Sequence, residues 1–258
     1  MSLEGKSLSV LTPMYSELNT RSYHASMITL VEMCIKNKVN LDLVMIGNES
    51  LVQRARNRCV DTYLKTQEAT HCIFIDADIG FHALEILSMM EADVDIIGAG
   101  CTKKSINWER VRQAVLANAG KEYDPRILAQ IGGDIVINWK EMGNINFDFR
   151  KPFEVGQLGT GCLMIKREVF EKLKEVFPDR WYESKKDPSA EPGPCWDFFR
   201  TGINTETREY ESEDFCFCED AKKAGFKIWL APWVRTTHQG THEFIADIPS
   251  MAISGLQL

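Results

Sequence analysis

The sequence predicts an α/β fold with a mostly parallel central sheet flanked by helices, followed by a smaller, irregular region. Three observations predict it. Early in the chain, short apolar, β-prone runs alternate with segments of helical periodicity, the pattern of successive right-handed β-α-β units. One run, Cys72 to Ile75, is apolar at every position, as suits a strand buried on both faces. That run leads into Asp76-Ala77-Asp78, and open α/β sheets bind ligands at the carboxyl ends of their strands.

In chain order, residues 7–12 read as the first strand, ended by Thr12-Pro13. Residues 20–37 follow as a helix with Tyr23, Met27, Leu30, Val31 and Cys34 on one face. Residues 41–46 form the second strand, stopped by Gly47-Asn48. Ser50 suits the cap of a helix running to Thr66. Its buried stripe is Leu51, Val52, Ala55, Cys59 and Tyr63; its polar face is Arg54, Asn57, Arg58 and Asp61. Residues 72–75 are the third strand, 83–91 a helix and 95–99 the fourth strand. Regularity then falls. Residues 108–119 suit a helix, and 123–149 form a polar excursion whose β-like pieces suit a hairpin. Residues 153–158 and 162–166 read as strands separated by Gly159-Thr160-Gly161. Residues 167–176 are helical, and 188–194 form a proline-rich loop. Residues 213–224 form a helix closed by Gly225, and 226–231 a last strand ended by Pro232.

The 258 residues suffice for one large domain, and 44% hydrophobic with 26% charged residues is ordinary globular composition. A net charge of −7 argues against nucleic acid or an anionic membrane surface as the main partner. A phosphorylated ligand would then need local positive charge, from a cation or a few placed arginines. The eight cysteines form no C-x-x-C pair, so zinc-ribbon spacing is absent. Most sit in apolar runs as small buried residues, and a reducing cytoplasm is the expected setting. No apolar run approaches the ~18 residues of a membrane span, and the N-terminus is no signal peptide. Nothing in the sequence specifies an oligomeric state.

The candidate chemistry begins at Asp76 and Asp78. Two carboxylates so close repel unless a cation or proton lies between them. Hard oxygen ligands suit Mg²⁺ or Mn²⁺, with substrate phosphates completing the shell. Arg54, Asn57 and Arg58 share a helix face and could hold a diphosphate or a base; the plainer alternative is a solvated face. Thr12-Pro13-Met14-Tyr15 ends the first strand, where Tyr15 could stack on a nucleobase or simply sit on the surface. Gly159, Thr160 and Gly161 permit close approach of a ligand, or make a hairpin turn. Glu213-Asp214 opens a helix, where acids are favoured electrostatically; a general base is the other reading. His238 and His242 lie in a Thr/Gly-rich stretch after the last strand, and one of them could return as a metal ligand.

Taken in order, Arg-Ala-Arg-Asn at 54–57, Asp-Ala-Asp at 76–78, Gly-Thr-Gly-Cys at 159–162, Glu-Asp at 213–214 and His-x-Gly at 238–240 resemble the GT-A class of nucleotide-sugar glycosyltransferases. The set is similar to that of the small glycosyltransferases of viruses and phages, including those of large algal viruses. The resemblance implies a single GT-A-like domain over 1–258, with a nucleotide-binding half at 7–100 and an acceptor and metal half at 101–245. It implies a UDP- or GDP-sugar donor, an acceptor hydroxyl on a glycan, and Mn²⁺ or Mg²⁺. Asp78 and His238 would bind the metal, and Asp76 the metal or the nucleotide ribose. Thr12, Pro13 and Tyr15 would hold the base with Arg54 and Asn57 nearby, and Arg58 and Ala77 would belong to the same donor site. Gly159, Thr160 and Gly161 would lie under the donor sugar, and Asp214 would deprotonate the acceptor. Lys103, Lys104 and Trp108 are looser matches that could line a sugar site.

Two other classes compete. A phosphatase could use Asp76 as nucleophile and Asp78 as acid, although two β-α units precede the motif here. A non-catalytic sugar-nucleotide-binding module would keep the fold without the transfer.

Overall fold

Apolar runs become the sheet, and the amphipathic segments between them become its cover. The computed structural model describes residues 3–66, 68–122, 124–139, 148–184, 193–240 and 243–253. Ser7–Met14 (β1), Arg21–Lys36 (α1), Asn40–Gly47 (β2), Val52–Thr66 (α2) and His71–Ile75 (β3) come first. Ile79–Phe81 (β4), Ala83–Glu91 (α3), Ile96–Gly98 (β5) and Thr102–Ile106 (β6) follow. Next come Trp108–Ala117 (α4), Ile127–Ile131 (α5), Gly133–Ile135 (β7), Ile137–Asn138 (β8), Phe153–Val155 (β9) and Gln157–Leu158 (β10). Cys162–Lys166 (β11), Arg167–Val176 (α6), Trp181–Glu183 (β12), Pro194–Trp196 (β13), Gly202–Ile203 (β14) and Tyr210–Glu211 (β15) lead to Glu213–Lys223 (α7). Ile228–Leu230 (β16), Thr236–Gln239 (β17), Glu243–Ala246 (β18) and Ile248–Ile253 (α8) complete the order.

Seven strands form the central sheet in the order β2-β1-β3-β11-β5-β16-β9. The sheet is mainly parallel; β11 runs antiparallel to both β3 and β5, and β9 antiparallel to β16. Helices cover both faces. Because side chains alternate across a strand, Leu8, Val10, Ile73 and Ile75 join the core beneath α1 and α3. Leu11, Val44, Phe74 and Leu163 join the opposite core with α2, α6 and α7. There Phe199 stacks on Phe217 at 4.8 Å, and Phe74 meets Phe199 edge-on at 5.0 Å.

Several expectations need correction. Val31 is exposed, because α1 turns only Tyr23, Met27, Leu30 and Cys34 inward. Leu51 and Val52 are exposed, whereas Arg56 and Asn57 are buried. α2 begins at Val52, one residue later than a Ser50 cap would have it, and the Leu51 N–H donates to Glu49. Among the described residues of the excursion after α4, β7 pairs with β6 and β8 with β10, not with one another. Nor do residues 159–161 make a hairpin, since β10 and β11 belong to different sheets. Residues 140–147, most of the proline-rich loop and His242 lie outside the described residues. All eight cysteines are buried and unpaired by disulfides. Among the described residues no helix is long and apolar enough to cross a membrane.

Candidate functional site

β3 ends beside a cleft of about 610 Å³. Its walls come from Pro13 of β1 and residues such as Tyr15 and Thr20 of the loop after it, from Glu49, Ser50, Val52 and Ala55 around the start of α2, from Asp76 to Asp78, and from His238 with Gln239 of β17. Strand pairing explains how the distant histidine arrives. β17 runs antiparallel to β4 with His238 opposite Ile79, and the Gln239 N–H donates to the Asp78 carbonyl at 2.9 Å. His238 Nε2 thereby lies 3.3 Å from Asp78 Oδ1. Its Nδ1 is 2.6 Å from the Thr102 carbonyl, which can only accept, so the Nδ1 proton is fixed. The other carboxylate oxygen, Asp78 Oδ2, accepts from the Lys104 ammonium.

Burial works against charge on both partners. It would lower the His238 pKa, but Asp78 and the Thr102 carbonyl outweigh it and raise the value. It would raise that of Asp78, but His238 and Lys104 outweigh it and hold the carboxyl below its ordinary value.

Asp76 has a different partner. Arg56, 3% exposed, grips it with two parallel bonds, Nη1 to Oδ1 at 3.0 Å and Nη2 to Oδ2 at 3.3 Å. Arg56 Nε also reaches Glu213 Oε1 at 3.3 Å, so one guanidinium joins the end of β3 to the start of α7. Burial would lower the arginine's pKa; Asp76 and Glu213 more than restore it. The sequence reading missed Arg56 by counting only its neighbours as functional. Its spacing carried a signal: Arg56 stands four residues after Val52 and three before Cys59, on the stripe assigned to the core.

Residues 159–161 thread between the two acid centres. A Cβ on Gly161 would lie 3.6 Å from Asp76 Oδ2, and one on Gly159 3.5 Å from Asp214 Oδ2. Thr160 is buried, with its hydroxyl unpartnered among the described residues. Asp214 Oδ1 accepts from the Ser212 hydroxyl and from the Phe215 N–H at 2.8 Å, leaving Oδ2 toward the glycine loop.

Other expected site residues are placed differently. Pro13, Tyr15 and Ala77 line the cleft, and Tyr15 is largely exposed. Thr12 is fully buried, its hydroxyl 2.8 Å from that of Tyr23, which removes its side chain from the cleft. Arg54 forms two 2.6 Å bonds with Glu49, a cleft-lining acid the sequence reading overlooked; Arg58 approaches the same carboxylate at 3.9 Å. Asn57 is buried and spends both polar ends on one loop, donating to Asp197 at 2.7 Å and accepting from the Phe199 N–H at 2.9 Å. Its work is to hold residues 197–199 against α2. Trp108 is exposed at the start of α4.

Asp78 and His238 fit a divalent cation. Neighbouring ligands of an octahedral ion at ~2.1 Å lie ~3 Å apart, close to the observed 3.3 Å between the two donor atoms. Fixing Nδ1 on a carbonyl directs Nε2 as a metal-binding histidine requires. No group of three such ligands converges among the described residues, so a bound ion would take the rest of its shell from phosphate and water.

No family model matches the sequence. No curated protein matches it either. Among solved structures the chain is similar to A197 from STIV, at 14% identity over 91% of this chain and 86% of that one, with a TM-score of 0.47. It is similar to a glycosyltransferase involved in the glycosylation of the major capsid of PBCV-1, at 10% identity over 67% and 66% of the two chains, with a TM-score of 0.32. HddC from Yersinia pseudotuberculosis, complexed with GMP-PN, matches at 13% identity over 84% and 97%, again with a TM-score of 0.32. Every one of these scores is below 0.5, and no activity follows from likenesses of that order.

Proposed function

We propose that this chain is a metal-dependent glycosyltransferase that moves a sugar from a UDP- or GDP-linked donor to a hydroxyl acceptor on a glycan. The observation that carries this reading is the Asp78–His238 pair beside the end of β3, on the wall of a cleft large enough for a nucleotide. A Mn²⁺ or Mg²⁺ ion held there would act as a Lewis acid on the diphosphate leaving group. The chain's own residues do the rest. Arg56 fixes Asp76 beside the ion site, with an oxygen edge still available to the metal or the ribose. Pro13 and Tyr15 offer an apolar and aromatic surface to the base. Gly159 and Gly161 let the glycine loop pack against Val136 and Cys101, which brings Asp76 and Asp214 to its two ends. Asp214 Oδ2 would take the acceptor's proton, its partner Oδ1 being held by Ser212 and Phe215.

The proposal is tested by thermal shift with UDP-, GDP-, CDP- and ADP-sugars, with and without Mn²⁺. A ligand that binds only the folded state raises stability by mass action, about 2.7 kcal/mol at a hundredfold excess over Kd. One donor should stabilise the parent strongly with Mn²⁺ and weakly without it. Asp78→Ala should remove the metal-dependent part. An unchanged response of Asp78→Ala to donor and Mn²⁺ would overturn the assignment, and binding without transfer or donor hydrolysis would point to the non-catalytic module.

A further inference from the structure

Lys104 lies in the middle of β6, the only lysine in contact with the Asp78 carboxylate among the described residues. Three observations make that contact more than a surface ion pair. It falls on Oδ2, while His238 faces Oδ1, so the ammonium and the imidazole divide one carboxylate between them. The root of the strand is fixed two residues earlier, where the Thr102 carbonyl holds His238 Nδ1. Beyond that anchor the side chains of Lys103, Lys104 and Ser105 are open to solvent, and β6 is registered to β7 at Thr102 and Ile106 with an irregularity between them. A long, flexible cation is thus tethered at the one carboxylate that a divalent ion would need.

We infer that Lys104 is a built-in counter-cation: it neutralises Asp78 when no divalent ion is bound, competes with that ion for the carboxylate, and turns to the incoming diphosphate once the ion displaces it. The inference rests on the Asp78–His238 metal reading proposed above. Charge balance favours it. Arg56 is shared by Asp76 and Glu213, which leaves one negative charge over; the ion, Lys104 and Asp78 add about +2, so the loaded site carries a net charge of about +1. A nucleoside-diphosphate sugar carries about −2 on its two ionised phosphates, and opposite charges in a cleft attract through little screening. Without Lys104 the loaded site would hold the donor with one positive charge fewer.

The two roles predict effects of opposite sign in one variant, Lys104→Met, which keeps most of the apolar stem. Mn²⁺ alone, titrated without nucleotide by calorimetry or electron paramagnetic resonance, should bind the variant about two- to fivefold more tightly, the range of a partly exposed ion pair. UDP or GDP, titrated at saturating Mn²⁺, should bind it several-fold more weakly. Lys104→Arg should return both affinities toward the parent values. Mn²⁺ affinity that is unchanged or weaker in Lys104→Met overturns the inference while leaving the metal reading intact. Asp78→Ala separates the two: if Mn²⁺ binds parent and Asp78→Ala alike, the metal reading fails, and the role of Lys104 fails with it.

Discussion

Arg56 brings a full charge into the interior, where an isolated ion is strongly disfavoured. It is tolerated because Asp76 and Glu213 surround it and because its plane lies over the Phe74 ring at 5.4 Å. Removing it would leave two carboxylates facing one another across the end of β3. Arg56→Met should therefore cost about 2–4 kcal/mol in urea unfolding at neutral pH, less than a fully buried pair because Asp76 keeps some solvent contact. Arg56→Lys should recover part of the loss, since it restores the charge without the two-bond fork. Equal stability of parent and Arg56→Met would show that the guanidinium contributes nothing net. At this scale the sequence was partly legible. Asp76 and Asp78 stood out because strand ends and carboxylate pairs are local signals. Arg56 and Asn57 did not receive their proper places, because a helical wheel shows which residues turn inward but not what meets them there. The partners, Asp76 with Glu213 and Asp197 with Phe199, come from other elements.

Elements were legible where their periodicity was strong. α1 forms as its spacing predicts, with Thr20 accepting the Tyr23 N–H at its start, and α7 ends where Gly225 takes a φ of +93°. The strands of the second half were harder to place, since two-residue pieces such as β8 and β10 exist only through each other. The insertion of β11 between β3 and β5 is likewise non-local: its apolar residues fit any central position, and only the completed sheet selects one. The crossing is tight. A Cβ on Gly98 of β5 would lie 2.4 Å from Leu158 Cδ2 and 3.0 Å from the Cys162 carbonyl oxygen. The leucine tip can turn aside, but the carbonyl belongs to the neighbouring strand. Gly98→Ala should cost about 1–3 kcal/mol, read as a lower midpoint in thermal unfolding. A midpoint equal to the parent's would mean that β10 and β11 shift freely at this point.

For the whole molecule, the α/β class and its mainly parallel sheet were legible from alternation alone, and the irregular region was legible only as irregular. Stability as a function of pH is a property at this scale. His71, at the start of β3, is buried, and that burial, helped by Lys6 and Lys166, pushes its pKa down from 6.5 to about 4. The folded state then refuses a proton that the unfolded chain accepts. The contribution is complete above pH 6.5, falls as the pH drops from there toward 4, and is constant below. About 3 kcal/mol should be lost across that window in urea unfolding, and His71→Leu should flatten this part of the profile. A parent profile that is already flat there would show that His71 takes up its proton without unfolding.

The pairing of β17 with β4 has a consequence for time rather than space. The two aspartates emerge early in synthesis, and β1, β2 and β3 can pair as soon as they are made. The histidine that meets Asp78 arrives only with one of the last strands, after α7 and β16. A nascent or truncated chain can therefore own most of the sheet and both acids, yet lack the Asp78–His238 pair. The pair forms only once β17 has joined β4, after all seven strands of the central sheet have been made.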